Sequence, residues 1–407
     1  MAVFTVGVFS LARADVRQPG RVSLLLMASV GFLSAVVWQS GQHASGAAQA
    51  CAHALLLAAA LCLLVVLLHR DELRWLAAAA MALAACACVA GIIASPRPPI
   101  DVFWMLQGSS HALVHGRNIY TQTWTGSHGI TNLFPYLPGT TLLVTPFYLV
   151  FGDARYALVA ALVVAAVVVM KLAAGRAALV LACVILLFPR VLFGIEQAWT
   201  EPLLLALIAT MVWSVEAGRP TLAVVCLAGA LATKQHVIVL LPLAAVWPDF
   251  GWRRTVAATG AAAVAILGWF AASPRAFVHG AITYNLRLPP RRDSLSLFTS
   301  AIRAGWTPSF VVVPVLMIVA VGAALWLLPR TTSAFVLGSA WLLGVFDLLN
   351  KQSFFNEWSL VIGLMVVGLA VMSRADRTPT SATEPEVLPE GCGDEGPGDA
   401  APTHAGG

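Results

Sequence analysis

The sequence predicts an all-α polytopic membrane protein with about twelve transmembrane helices. Three observations lead there. The 407 residues are 59% hydrophobic and only 11% charged, against roughly 25% charged in soluble domains. The apolar residues come in blocks long enough to cross a bilayer, which takes about 20 residues. The basic residues fall between those blocks and read as orientation signals, so the net charge of +5 does not imply a nucleic-acid partner.

Residues 1–21 form a cytoplasmic N-terminal segment. Arg13, Arg17 and Arg21 precede a full-length span, not the short apolar region of a cleavable signal peptide. A transmembrane domain occupies 22–373, with spans near 22–38, 48–68, 75–95, 155–172, 177–194, 202–216, 220–234, 236–248, 255–272, 309–328, 333–349 and 358–373. Between the third and fourth lies "YLPGTTLLVTPFYLVFG", 136–152. It holds about 14 apolar-leaning residues, short for a crossing and suited to an interfacial or re-entrant helix. If it does not cross, Lys171, Arg176, Arg219, Arg253, Arg254, Arg330, Arg374 and Arg377 share a side with Arg13, Arg17, Arg21, Arg70 and Arg74. The opposite short loops then hold Arg190, Lys234 and Lys351. The positive-inside rule favours that arrangement, with both termini cytoplasmic. Residues 374–407, rich in Pro, Gly, Thr and acids, read as a disordered cytoplasmic tail.

Seven cysteines give no disulfide framework. Six lie in apolar blocks, Cys392 lies in the tail, and Cys86 and Cys88 fall on nearly opposite sides of a helix.

Functional polarity gathers in the outer loops. Asp101 stands about one helical turn beyond the third span and opens an amphipathic stretch anchored by Trp104. Its plainer role is to cap that helix, where the helix dipole favours a carboxylate. The turn "FGIEQAWTEPLLLALI" brings Glu196, Gln197, Thr200 and Glu201 to the same level. Glu201-Pro202 also suits the first turn of a helix. Ionisable groups near membrane depth are functional hypotheses by default. Lys234, Lys351, Arg287, Arg291 and Arg292, with Tyr284, Asn285, Asn350, Gln352 and Asn356, suit an anionic headgroup such as a lipid phosphate. Any one of these cations alone could simply snorkel. His111 and His115 share a helix face, but a metal would need a third ligand, so no metal or other cofactor is expected.

These motifs together resemble the first outer loop of the GT-C glycosyltransferases. The likeness is to the bacterial family 87 polyprenyl-phosphate-mannose-dependent mannosyltransferases. It rests on "HALVHGRNIY" and "FPYLPGTTLLVTPFYLVFGDARYALV", in which Gly116, Asn118, Tyr120, Tyr136 and Pro138 stand as the family pattern has them. "EQAWTEPLLLALI" is similar to the second outer loop of the wider group, and "LAGALATKQHVIVLLPLAAVW" to its lysine-bearing hairpin. Ile100 precedes Asp101, so the paired acids of the metal-using subgroups are missing.

The resemblance implies a GT-C-like fold in the cell membrane. It implies Asp101 as catalytic base with Glu201 as a second acid. Lys234, Lys351, Arg287, Arg291, Arg292, His111, Tyr120, Tyr136, Glu196 and Gln197 would contact the donor and its phosphate. The donor would be a polyprenyl-phosphate sugar, mannose by the family's leaning, and the acceptor a glycolipid or glycan. A transporter or flippase of a lipid-linked sugar is the alternative. It predicts charge at span centres, whereas this chain's polarity lies mostly at one face. A non-catalytic scaffold would leave the outer polar groups without a shared purpose.

Overall fold

A computed structural model describes residues 42–68, 73–188 and 190–375. The span expected at 22–38, the segment 1–21 and nearly all of 374–407 lie outside the described residues. Among those described there is no strand. Among the described residues five helices are long and apolar enough to cross a membrane: α1 (Gly46–Leu68), α2 (Arg74–Ala94), α11 (Gly251–Ala272), α16 (Thr332–Leu349) and α17 (Phe355–Ala375). Between α2 and α11 come α3 (Asp101–Val114), α4 (Pro138–Phe151), α5 (Tyr156–Leu172), α6 (Gly175–Leu186), α7 (Val191–Glu196), α8 (Glu201–Glu216), α9 (Pro220–Leu231) and α10 (Leu241–Val246). After α11 come α12 (Pro274–Phe277), α13 (Asn285–Arg287), α14 (Leu297–Arg303) and α15 (Val312–Leu327).

Two expected spans are broken. The apolar run 177–194 divides into α6 and α7, because Pro189 lacks an N–H donor and Arg190 turns left-handed at φ 62°. The run 236–248 begins as a 3-10 helix, Gln235–Leu240, before α10. Pro242 stands in the first turn of α10, where its missing N–H costs nothing.

The helices assemble as a bundle with two distinct ends. At one end Ser45 N–H donates to the Ala94 carbonyl at 3.2 Å and Leu137 N–H to Thr233 at 3.3 Å. There too the Thr299 hydroxyl donates to the Lys351 carbonyl at 3.1 Å. At the other end the Arg176 guanidinium donates to the Leu67 carbonyl and the Thr332 hydroxyl to Glu216 at 2.5 Å. Lys171 and Arg219 both lie over the Trp213 ring. Alternating helix direction joins the two ends. Inside, α1 and α2 approach closely through buried alanines such as Ala59, Ala80, Ala84 and Ala87, the packing expected where lipid supplies no hydrophobic drive between helices.

The loop between α2 and α5 carries α3 and α4. Helix α4 starts on Pro138, a residue suited to the first helical position. It ends at Gly152 in the left-handed conformation. It then meets α5 at 112°, so α4 does not continue the line of α5, in keeping with an interfacial or re-entrant segment. Its start is docked on the turn after α9: Gly139 N–H donates to the Ala232 carbonyl at 2.7 Å and the Thr140 hydroxyl to the Thr233 carbonyl at 2.9 Å. Helix α3 is pinned by Arg155, which is fully buried, pairs with Asp153 at 2.6 Å, and lies 4.7 Å from the Phe103 ring.

A Cβ on Gly139 would fall 2.6 Å from the Ala232 carbonyl oxygen, a backbone atom that cannot swing aside. Gly139→Ala should therefore lift α4 off the bundle at a cost of about 1–3 kcal/mol. Faster proteolysis within 134–151 in membranes, with α1–α2 unaffected, is the expected reading; unchanged cleavage would show the contact to be slack.

Candidate active site

Asp101 is the first residue of α3, but it does not cap it: Ile100 is the cap residue and makes no side-chain hydrogen bond. Oδ1 of Asp101 accepts from Val102 N–H at 2.8 Å, and Oδ2 from Ile130 N–H at 3.4 Å. A carboxylate offers about four acceptor positions, so these two backbone contacts leave the half-buried group with capacity for a ligand. The loop bends over it at Gly129, where a Cβ would sit 2.7 Å from Oδ2. Only glycine lets the backbone come so near.

Two phenols face this acid. The Tyr136 hydroxyl is pushed well above its ordinary pKa by burial first, then by Glu201, Asp101 and Glu357. Tyr284 is raised by burial and by Asp101, against the opposite pull of Arg291. Both therefore keep their protons at neutral pH and remain O–H donors.

Beneath them lies a buried ion pair. The Lys234 ammonium donates to Oε1 of Glu201, and Asn356 Nδ2 donates to the same oxygen at 2.9 Å. Burial works against the Lys234 charge, but Glu201, Glu357 and Asp347 together outweigh it and raise its pKa. The lysine stays an ammonium. Its Nζ lies 5.6 Å from the centre of the Tyr136 ring, a cation–π distance that links the two layers. Glu201 comes from the first turn of α8, Lys234 from the turn after α9, and Asn356 and Glu357 from the first turn of α17.

A family model for glycosyltransferase family 87 matches residues 134–351, just over half of the chain. The chain belongs to glycosyltransferase family 87. No curated protein and no solved structure matches it. The matched region of this glycosyltransferase includes Tyr136, Glu201, Lys234, Tyr284 and Asp347. Asp101 precedes it, and Asn356 and Glu357 lie just beyond.

The other residues singled out from sequence fall in several places. Tyr120 is buried against Phe134 and Phe277, and its hydroxyl donates to the Tyr136 carbonyl at 2.9 Å, so it braces the loop that carries Tyr136. Glu196 is buried and accepts from the Gln42 and His43 N–H groups at 2.5 and 2.7 Å, with Gln197 donating to it at 3.4 Å. It holds the entry to α1. Lys351 donates to the Leu286 carbonyl at 2.6 Å and lies over the Phe310 ring. Arg291 pairs with Asp293 in the open. Arg287 and Arg292 are exposed, with no ion pair among the described residues. His111 shares a hydrogen bond with the Tyr148 hydroxyl at 3.3 Å. Ten residues along α3, it stands about 15 Å from Asp101.

Glu357 and Asp347 were not singled out as site residues by the sequence reading. Glu357 repeats the pattern of Glu201, an acid in the first turn of a span just after a short loop, and that recurrence was a signal available to it. Asn356 donates to the Glu201 carboxylate.

Removing one member of a buried pair leaves the other charge unpaired, at about 3–5 kcal/mol. Lys234→Met and Glu201→Leu should each lower thermal stability in nanodiscs strongly, and the double variant should recover a large part of the loss. A double variant as unstable as the two losses added together would show that the pair is not coupled.

Proposed function

We propose that this membrane glycosyltransferase moves a sugar from a polyprenyl-phosphate donor to an acceptor hydroxyl at the outer face of the cell membrane. Asp101 is the general base in this reading. The sugar is mannose, by the family resemblance, and the acceptor a glycolipid or glycan. The observation that carries this is the contrast between the two acids. Asp101 is half-exposed, bound only by two backbone N–H groups, and free to accept a proton. Glu201 is 2% exposed and committed to Lys234 and Asn356.

The chemistry asks for little more. The acceptor hydroxyl must lose a proton as it attacks the anomeric carbon, and a positioned carboxylate serves. The phosphate leaves as an anion and needs cationic and O–H donors more than a protonating acid. Tyr136 and Tyr284 keep their protons near Asp101, and Arg287 and Arg292 at the same end have no ion pair among the described residues. The exposed Arg291–Asp293 pair is worth no more than about 1 kcal/mol and can be traded for a phosphate contact. One displacement inverts the anomeric centre, without the second carboxylate that glycoside hydrolysis uses. Glu201 then fixes the position of Lys234 under the reacting groups. The transporter reading expects charge at span centres, whereas this network gathers at the helix ends.

Membranes given radiolabelled polyprenyl-phosphate mannose should transfer label with the native chain, and about 10²–10⁴-fold more slowly with Asp101→Asn. Equal transfer by both would remove Asp101 as the base. For orientation, His128→Cys and Ala217→Cys, placed in a chain whose native cysteines are serine, should react with an impermeant thiol reagent from opposite sides. His128 should react from outside the cell; labelling of His128→Cys only after permeabilisation would put the site on the cytoplasmic face.

A further inference from the structure

At the end of the bundle opposite Asp101, one indole serves two cations. Lys171 Nζ lies 4.7 Å and Arg219 Cζ 5.0 Å from the centre of the Trp213 ring. The three side chains come from three places: the last turn of α5, the last turn of α8, and the residue that precedes α9. Helix packing therefore gathers two like charges on one ring, each held there by the ring's negative face.

No acid balances them. Neither Lys171 nor Arg219 has an ion-pair partner among the described residues. Glu216 stands three residues from both Trp213 and Arg219, but its carboxylate accepts from the Thr332 hydroxyl at 2.5 Å. Both cations are exposed, so the pair faces outward.

The surface leading away from the pair is apolar. Val164 and Val167 share the Lys171 face of α5 and are 45% and 43% exposed. On α9, Leu222 and Val225 follow Arg219 and are exposed too. Helix α8 packs against both α5 and α9 and offers Leu207, Thr210 and Trp213, a half-buried strip. The result is a shallow furrow floored by α8, with hydrocarbon walls and two cations at one end.

We infer that this furrow seats an anionic phospholipid, its phosphate bridging Lys171 and Arg219 and one acyl chain lying along α8. Indoles mark the headgroup level of a bilayer, and basic pockets between helices take anionic headgroups. A phosphate between the two cations offsets their mutual repulsion and gives each a charge-assisted hydrogen bond. A choline headgroup gains less, because the indole that would receive its ammonium already faces two cations. In the proposed orientation the seat belongs to the cytoplasmic leaflet. It is remote from the reacting groups and does not depend on the proposed reaction. The sequence reading used Lys171 and Arg219 only as orientation charges.

The test uses the full chain, delipidated in detergent and measured by native mass spectrometry with phosphatidylglycerol or phosphatidylcholine of the same acyl chains. Phosphatidylglycerol should bind about tenfold or more tightly than phosphatidylcholine. Lys171→Gln combined with Arg219→Gln should abolish that preference. Trp213→Leu, which removes no charge, should weaken it as well. The charge-matched control, Arg253→Gln combined with Arg330→Gln, should keep it. Phosphatidylglycerol carrying a diazirine in one acyl chain, added to the native chain at one equivalent, should label peptides within 160–171, 207–213 and 219–229. Unlabelled phosphatidylglycerol should suppress that labelling, and phosphatidylcholine should not. Equal affinity for the two lipids would overturn the seat. So would a preference that survives the Lys171 and Arg219 changes or Trp213→Leu, one lost equally in the control, or labelling only elsewhere. The labelling arm needs no substitution, so poor folding of a variant does not touch it.

Discussion

The ion pair between Lys234 and Glu201 is the constraint on which the site depends. Two charges taken out of water hold their place only if they meet with good geometry, so the helix ends that carry them cannot drift apart. The pair joins the start of α8 to the turn after α9, and Asn356 adds the start of α17. Two residues before Lys234, the Ala232 carbonyl receives Gly139 N–H, which fixes the start of α4 against the same turn. Tyr136 precedes α4 by two residues and is thereby held over the lysine. A chain of short contacts thus runs from one buried charge to the loop above it.

Arg155 plays the matching part on the other side. It is buried between the end of α2, the ring of Phe103 and its partner Asp153, and it holds α3 at the angle that presents Asp101. The two acids consequently live in different surroundings. One faces a loop whose glycine approaches within contact distance; the other is enclosed by a lysine and an asparagine. Similar carboxylates acquire different work from burial and neighbours alone.

Much of the architecture was legible because apolar runs bounded by Gly and Pro leave few alternatives. The length and prolines of 136–152 marked it as unlike an ordinary span, and it stands at 112° to α5. The break within 177–194 was harder to see, since Pro189 stands in an otherwise apolar run and the left turn at Arg190 has no glycine to announce it. The acid network was the least visible part. Glu201, Asp347 and Glu357 are brought together by helix packing, and nothing in their spacing along the chain indicates it. The cations grouped from sequence as one anion site have different partners: Lys234 a carboxylate, Lys351 a carbonyl, and Arg291 its near neighbour Asp293.

At the far end of α4, Leu149, Val150 and Phe151 are 61%, 73% and 57% exposed, a face that only hydrocarbon solvates well. Tyr136 lies in the loop just before the other end of this helix, over the ion pair. Bilayer thickness and headgroup packing set the height of that apolar face at modest energetic cost. The surrounding lipids thus bear on the placement of the loop that holds Tyr136 over Lys234.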